Sequence, residues 1–340
     1  MALYIPFTAS FKSLSVLMAS ATGTEVGGFS SKNCFLHAVN PITIIEVVTL
    51  LEAYDRTLAQ DCVAEINVPP AANSAMDGYA VNSRDISPGK KLRVSQRIAA
   101  GDVAQPLEIG TAARIFTGAE IPENADAVVI QEDCTMDGDA VVFNITANPN
   151  DNIRPKGQDI AKGKLLLSRG HRLRAQDIAL LSSVNINTVY VYKKLRVAFF
   201  STGNELVEPG TILQPGKIYN SNRYLLAGLL RKLNCELLDL GIVKDSLKDT
   251  IEALTSATEA DFIISSGGVS AGDEDHVKAA VKSLGKLDLW KLNLKPGKPL
   301  AFGSVKNVPF VGLPGNPVSA FVTFELLIKP LIYKLQGHNQ

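Results

Sequence analysis

From Leu195 onward the chain repeats one pattern: a short apolar, β-rich run, a loop of small residues, then an amphipathic stretch with helical period. The apolar runs fall at residues 195–200, 235–240, 261–265 and 308–312, and the helical stretches at 221–233, 246–257, 274–284 and 318–335. Strands joined through helices need long crossovers, so they line up in parallel and carry helices on both faces of their sheet. The expected fold class is α/β, with a doubly wound, mostly parallel sheet occupying residues 191–337. Ser246 and Asp249 have capping-box spacing and mark the start of the second helix.

The remainder reads differently. At 340 residues the chain is long enough for two or three domains. Residues 68–151 hold β-rich runs at 92–98, 113–116, 127–131 and 140–145, with the hairpin dipeptide Asp137-Gly138 between two of them. A small inserted β domain is expected there. The flanking segments, 41–67 and 152–190, form a helical and extended domain. Pro41 suits a first helical position, and Ile44, Ile45, Val48, Leu51 and Leu58 follow at roughly helical spacing. Residues 163–173 alternate as a hairpin would, and 174–183 suit a short helix. Residues 1–40 carry no regular pattern and are expected to form a poorly ordered extension. Their apolar stretch at 11–20 is broken by serine and poor in arginine, which fits neither a secretory nor an organellar leader.

Charge narrows the function. The 34 basic and 34 acidic residues cancel to a net charge of +0, which argues against a general nucleic-acid binder. Any anion must be held by locally placed cations and backbone N–H groups. Cys34, Cys62, Cys134 and Cys235 lie far apart with no C-x-x-C pair, so neither zinc nor a disulfide framework is indicated, and cytoplasmic residence is expected. His171 and His276 have no partners at metal-ligand spacing.

Ligands of an open parallel sheet bind beyond the carboxyl ends of its strands. Three loops leave strands at that edge: residues 201–205 (STGNE), 265–275 (SSGGVSAGDED) and 313–319 (LPGNPVS). Gly267 and Gly268 permit close backbone approach, and the hydroxyls, Ser270 among them, and helix starts suit phosphate-like anions. Any one such loop is more often a simple tight turn. At residues 290–295, period-two geometry puts Lys291, Asn293 and Lys295 on one face, the lysines about 13 Å apart, with Lys298 following a Pro296-Gly297 turn. A lysine-protected edge strand reads the same way. Asp273, Glu274 and Asp275 stand at a helix start, Glu205 and Asp245 each follow a strand, and Asp77 and Asp159 come from elsewhere in the chain. Hard carboxylates beside phosphate binders suggest Mg²⁺, although each acid taken alone is more often a cap or a surface charge.

Read together, seven segments resemble the molybdopterin molybdenumtransferase family, which includes MoeA of bacteria and the E domain of gephyrin. They are 74–81 (SAMDGYAV), 114–119 (RIFTGA), 153–160 (IRPKGQDI), 201–206 (STGNEL), 265–275 (SSGGVSAGDED), 291–302 (KLNLKPGKPLAF) and 312–319 (GLPGNPVS). The resemblance implies insertion of molybdate into adenylylated molybdopterin with release of AMP, a Mg²⁺ requirement, and a homodimer whose cleft joins the α/β domain of one subunit to the β domain of the other. It admits contact with the molybdopterin adenylyltransferase, and needs no nucleic acid or membrane. It assigns catalysis to Asp77, Asp159, Glu205 and Asp275, and metal binding to Glu205, Asp245 and Asp275. It places Thr117, Arg154, Lys291 and Lys295 at the substrate, with Pro314 and Pro317 shaping the third loop, and the loop and strand reading above adds Gly267, Gly268, Ser270 and Lys298 as substrate-binding residues. Full-length members continue past the last helix into a small fourth domain, which a chain stopping at Gln340 would lack. The alternatives are an inactive pterin-binding scaffold, the adenylyltransferase itself, whose fold resembles the α/β domain, and a clustering module.

Overall fold

A computed structural model describes residues 39–268, 276–291 and 299–339. The chain falls into two compact units, one spanning Ile45–Val191 and the other formed by Tyr192 onward with the segment up to Ile44.

In the Ile45–Val191 unit, the stretch expected as a helix from Pro41 is instead a strand, Ile45–Thr49, paired with Thr188–Tyr192. Ile44, Ile45, Val47, Val48 and Thr49 are all β-branched, and their crowding at χ1 favours a pleated surface over a helix. Burial alternates between exposed and half-buried along the strand, as period two requires. The hairpin expected at 163–173 is also absent. Leu165–Leu167 pairs antiparallel with Cys62–Val63, a partner about a hundred residues earlier, which local alternation has no means of revealing. Helix α1, Ala175–Ser183, begins where expected: the Asp177 carboxylate accepts hydrogen bonds from the Arg174 backbone N–H at 2.9 Å and from its guanidinium at 2.9 and 3.0 Å.

Six strands build this unit's main sheet: β1 (Gly78–Val81), β2 (Lys91–Ile98), β3 (Thr111–Ile115), β4 (Ala127–Ile130), β5 (Cys134–Asp137) and β6 (Ala140–Phe143), in the order β4-β1-β3-β2-β6-β5. Strands β5 and β6 form the hairpin signalled by Asp137-Gly138, with Gly138 at φ +68°.

The other unit carries the second six-stranded sheet: β7 (Arg196–Thr202), β8 (Glu236–Val243), β9 (Phe262–Ser266), β10 (Gly285–Lys291), β11 (Pro299–Val305) and β12 (Val308–Leu313). Their order is β8-β7-β9-β12-β11-β10. The first four in that order are parallel; β11 and β10 extend the sheet antiparallel. Helices α2 (Ser221–Lys232), α3 (Leu247–Ala257) and α4 (His276–Leu284) supply the crossovers. Alternate residues face opposite sides. Val197, Phe199, Phe262 and Ile264 pack with Leu226, Leu230 and Phe324, while Ala198, Phe200 and Ile263 pack with Leu254, Ala257 and Val281. Both faces of the sheet are therefore covered, as the continuous apolar runs require.

The expected final helix is interrupted. Helix α5, Pro317–Thr323, passes through a widened π turn at Phe324–Ile328 into α6, Lys329–Leu335. The wide turn directly precedes Pro330, whose ring would clash with the carbonyl four residues earlier in a regular helix. Around the junction between units, Lys193 N–H donates to the Ile44 carbonyl at 2.9 Å and Ile42 N–H to that of Leu335 at 2.9 Å. Among the described residues no helix is long and apolar enough to cross a membrane.

Candidate functional site

The carboxyl ends of three parallel strands stand side by side. Ser201 of β7 is level with Ser266 of β9, and Ser266 with Leu313 of β12. The loops that follow therefore start side by side, and the two glycines that open the second are required by space. A Cβ on Gly267 would lie 2.5 Å from the Thr202 carbonyl oxygen, and one on Gly268 would lie 2.5 Å from a Val277 methyl. Both glycines have positive φ, +91° and +66°. Gly267 N–H donates to the Leu313 carbonyl at 3.1 Å, tying the second loop to the third. Asn316 caps α5 by accepting from Ser319 N–H at 3.1 Å, with Pro317 in the first turn and Pro314 bracketing Gly315 from the other side.

Carboxylates accompany this edge. Thr202 of β7 pairs with Val243 of β8, so Glu205 and Asp245 leave neighbouring strands at the same end, and both are exposed. The Glu205 carboxylate folds back over Gly203, within 2.5 Å of where a Cβ there would sit. Among the described residues no group of three or more His, Cys, Asp or Glu is arranged to hold a metal ion. Ser270, Asp275, Lys295 and Lys298 lie outside the described residues, and Lys291 closes β10.

A second cluster belongs to the Ile45–Val191 unit. Asp77 Oδ1 accepts hydrogen bonds from Thr117 N–H at 2.8 Å and from its hydroxyl at 2.7 Å. These bonds, the backbone one foremost, hold the Asp77 carboxyl below the usual carboxylate range. Two backbone bonds knit the same segments together, Ser74 N–H to the Ala119 carbonyl at 2.9 Å and Gly118 N–H to the Ser74 carbonyl at 2.8 Å. Arg154 pairs in register with Asn73, and Ile153 with Ser74, which places Arg154 on the strand beside the segment that leads to Asp77, on the side leading away from it. Asp159 is placed by donating its N–H to the Val68 carbonyl at 3.0 Å. Beside Thr117, two guanidinium groups approach the Phe116 ring, Arg97 at 4.4 Å and Arg114 at 4.8 Å from its centre.

Family comparison matches residues 31–185 to the MoeA N-terminal region (domain I and II) and residues 198–334 to a probable molybdopterin binding domain. A molybdopterin molybdenumtransferase of Haemophilus influenzae is 46% identical over 88% of this chain and 74% of its own length. The chain belongs to the molybdopterin molybdenumtransferase family. Another molybdopterin molybdenumtransferase, from Nostoc, is 40% identical over 86% of the chain and 70% of its own length. In structure, the molybdopterin biosynthesis MoeA protein of Pyrococcus horikosii superimposes with a TM-score of 0.80 at 34% identity, covering 90% of this chain and 78% of that one.

Sequence reading of this molybdenumtransferase missed the residues that hold the loops in place. Asn220 and Asn222 open α2, and their side chains reach Ser201 and Ser266 at the strand ends. The visible signal was an Asn-Ser-Asn run at a helix start, where asparagine is an ordinary cap. Beneath the loops, Thr202 Oγ1, Ser265 Oγ, Asn220 Nδ2 and Asn222 Oδ1 are buried without a hydrogen-bond partner among the described residues.

Proposed function

We propose that this molybdenumtransferase inserts molybdate into adenylylated molybdopterin, releasing AMP, in the cytoplasm and as a homodimer able to meet the adenylyltransferase. The observation carrying this reading is that three parallel strands end in register at one sheet edge, Ser201 beside Ser266 and Ser266 beside Leu313, where the small-residue loops begin. Loops and helix starts at such an edge suit phosphate and molybdate oxygens, which are held by backbone N–H groups. In the reaction, water cleaves the phosphate–phosphate linkage and AMP departs; the two dithiolene sulfurs bind molybdenum while their two protons carry a molybdate oxygen away as water, with no change of oxidation state.

Glu205 and Asp245 fit a hard cation, since two carboxylates leave adjacent strands beside those loops and substrate phosphate oxygens would complete the set. Mg²⁺ there would neutralise charge accumulating on the phosphates. In the homodimer, Asp77, kept ionised and aimed by Thr117, would act with Asp159 from one subunit to orient the attacking water, and Asp275 would come from the other subunit. Arg154 of one subunit and Lys291, Lys295 and Lys298 of the other would offset the repulsion between the two anions, with Thr117 of the first and Ser270, Pro314 and Pro317 of the second lining the substrate.

The test is molybdate-dependent AMP release from the adenylylated substrate by purified protein. Glu205→Gln is expected to lower the rate by about a hundredfold or more, the scale of losing one preorganised electrostatic group. Substrate binding without AMP release in the unmodified protein would mark a scaffold; ATP consumption without adenylylated substrate would mark an adenylyltransferase.

A further inference from the structure

The start of helix α2 carries two asparagines with different tasks. Asn220 is the N-cap: its Oδ1 accepts from Arg223 N–H at 3.3 Å, and the Ser201 hydroxyl lies 3.1 Å from the same oxygen. Asn222 sits inside the first turn, where asparagine has no capping role and poor helix propensity. It is 7% exposed, and its Nδ2 donates twice, to Ser266 Oγ at 2.7 Å and to the Gly315 carbonyl at 2.8 Å. Its Oδ1 is buried and bonds to nothing among the described residues. A buried amide half satisfied in this way is a costly choice for mere packing.

Ser266 begins the second loop and Gly315 lies in the third. One side-chain nitrogen thus spans both loops, on a helix that Asn220 joins to the end of β7. The backbone bond from Gly267 to Leu313 sets the strand ends, but it does not reach Gly315.

We infer that Asn222 is a positioning residue for catalysis: its amide fixes the spacing between the second and third loops, so that their backbone groups meet the substrate's phosphates together. This rests on the functional reading above. The chemistry demands an amide, because the Gly315 carbonyl only accepts hydrogen bonds and an ionised carboxylate only accepts them too. Aspartate is therefore the informative replacement, equal in shape and opposite in hydrogen-bonding sense.

The experiment compares wild type, Asn222→Asp and the milder Ser266→Ala in three measurements. These are kcat and KM for molybdate-dependent AMP release, the folded fraction at assay temperature, and amide hydrogen exchange in peptides covering 262–268 and 308–319. Asn222→Asp should lower kcat/KM per folded molecule on the order of tenfold to a hundredfold, the scale of a misplaced binding group, and speed exchange in both peptides. Ser266→Ala, which leaves the Gly315 bond in place, should show a smaller loss and faster exchange only in the first peptide. A purely structural role would lower the folded fraction and leave kcat/KM per folded molecule unchanged, which overturns the proposal. Wild-type exchange in both loops of Asn222→Asp overturns it as well. If wild type itself releases no AMP, the functional reading has failed, and exchange still decides whether Asn222 couples the loops.

Discussion

Replacing Gly267 by alanine puts the packing at the strand edge to a quantitative test. Gly267 has φ +91°, and an added Cβ would sit 2.5 Å from the backbone oxygen of Thr202, which unlike a flexible side chain has no rotamer to retreat into. The backbone conformation alone costs an L-residue about 1–2 kcal/mol. Relieving the overlap adds about 1–3 kcal/mol, the usual cost of forcing an extra methyl into a packed place. The sum is about 2–5 kcal/mol. At about 2–4 °C per kcal/mol for a unit of this size, Tm should fall by about 4–20 °C. Gly216→Ala isolates the first contribution: Gly216 has φ +79° with nothing within 4 Å of the added carbon, so its Tm should fall by only about 2–8 °C. Thermal unfolding of both variants, followed by calorimetry, reads the difference. Equal shifts would refute the claim that Gly267 is glycine for space as well as for φ, and with it the tight seating of the second loop on β7.

Removing the Thr117 hydroxyl with Thr117→Val leaves only the backbone N–H on Asp77, so the Asp77 carboxyl should titrate higher than in wild type, followed by NMR; an unchanged midpoint would contradict the bonding described. Asp177, 3% exposed and held well below the usual carboxylate range mainly by the Arg174 guanidinium, should cost about 1.5–3 kcal/mol when changed to asparagine at neutral pH. Because its folded pKa is depressed, that stabilisation is present above the unfolded value of about 3.9 and lost as pH falls towards the folded one. The Tm gap between wild type and Asp177→Asn should therefore narrow below about pH 4, and a gap constant down to pH 3 would count against this account.

The α/β half was legible because its signals are local. Strands buried on both faces are written as apolar runs, and the loops between them are marked by Gly267, Gly268, Pro314 and Gly315. Non-local pairing was not legible. The period of Ile44, Ile45 and Val48 suits either a helix or a strand until the partner at Thr188–Tyr192 is known, and Leu165–Leu167 alternates whether it pairs forward or back to Cys62–Val63. For the same reason Asp77 and Thr117 stood out as residues but not as a hydrogen-bonded pair, and Asn222 not at all, since both of its partners lie over forty residues away.

The bond between Lys193 and Ile44 bears on how the protein is put together. The backbone departs from one unit and rejoins it a hydrogen bond apart, so residues 45–191 form a cassette inserted between Ile44 and Tyr192. Chain ends so near each other can be sewn with a few residues of linker. Excising the cassette should leave the sheet of β7 to β12 with its core intact, and the cassette, whose own entry and exit strands pair, should be portable to another host loop.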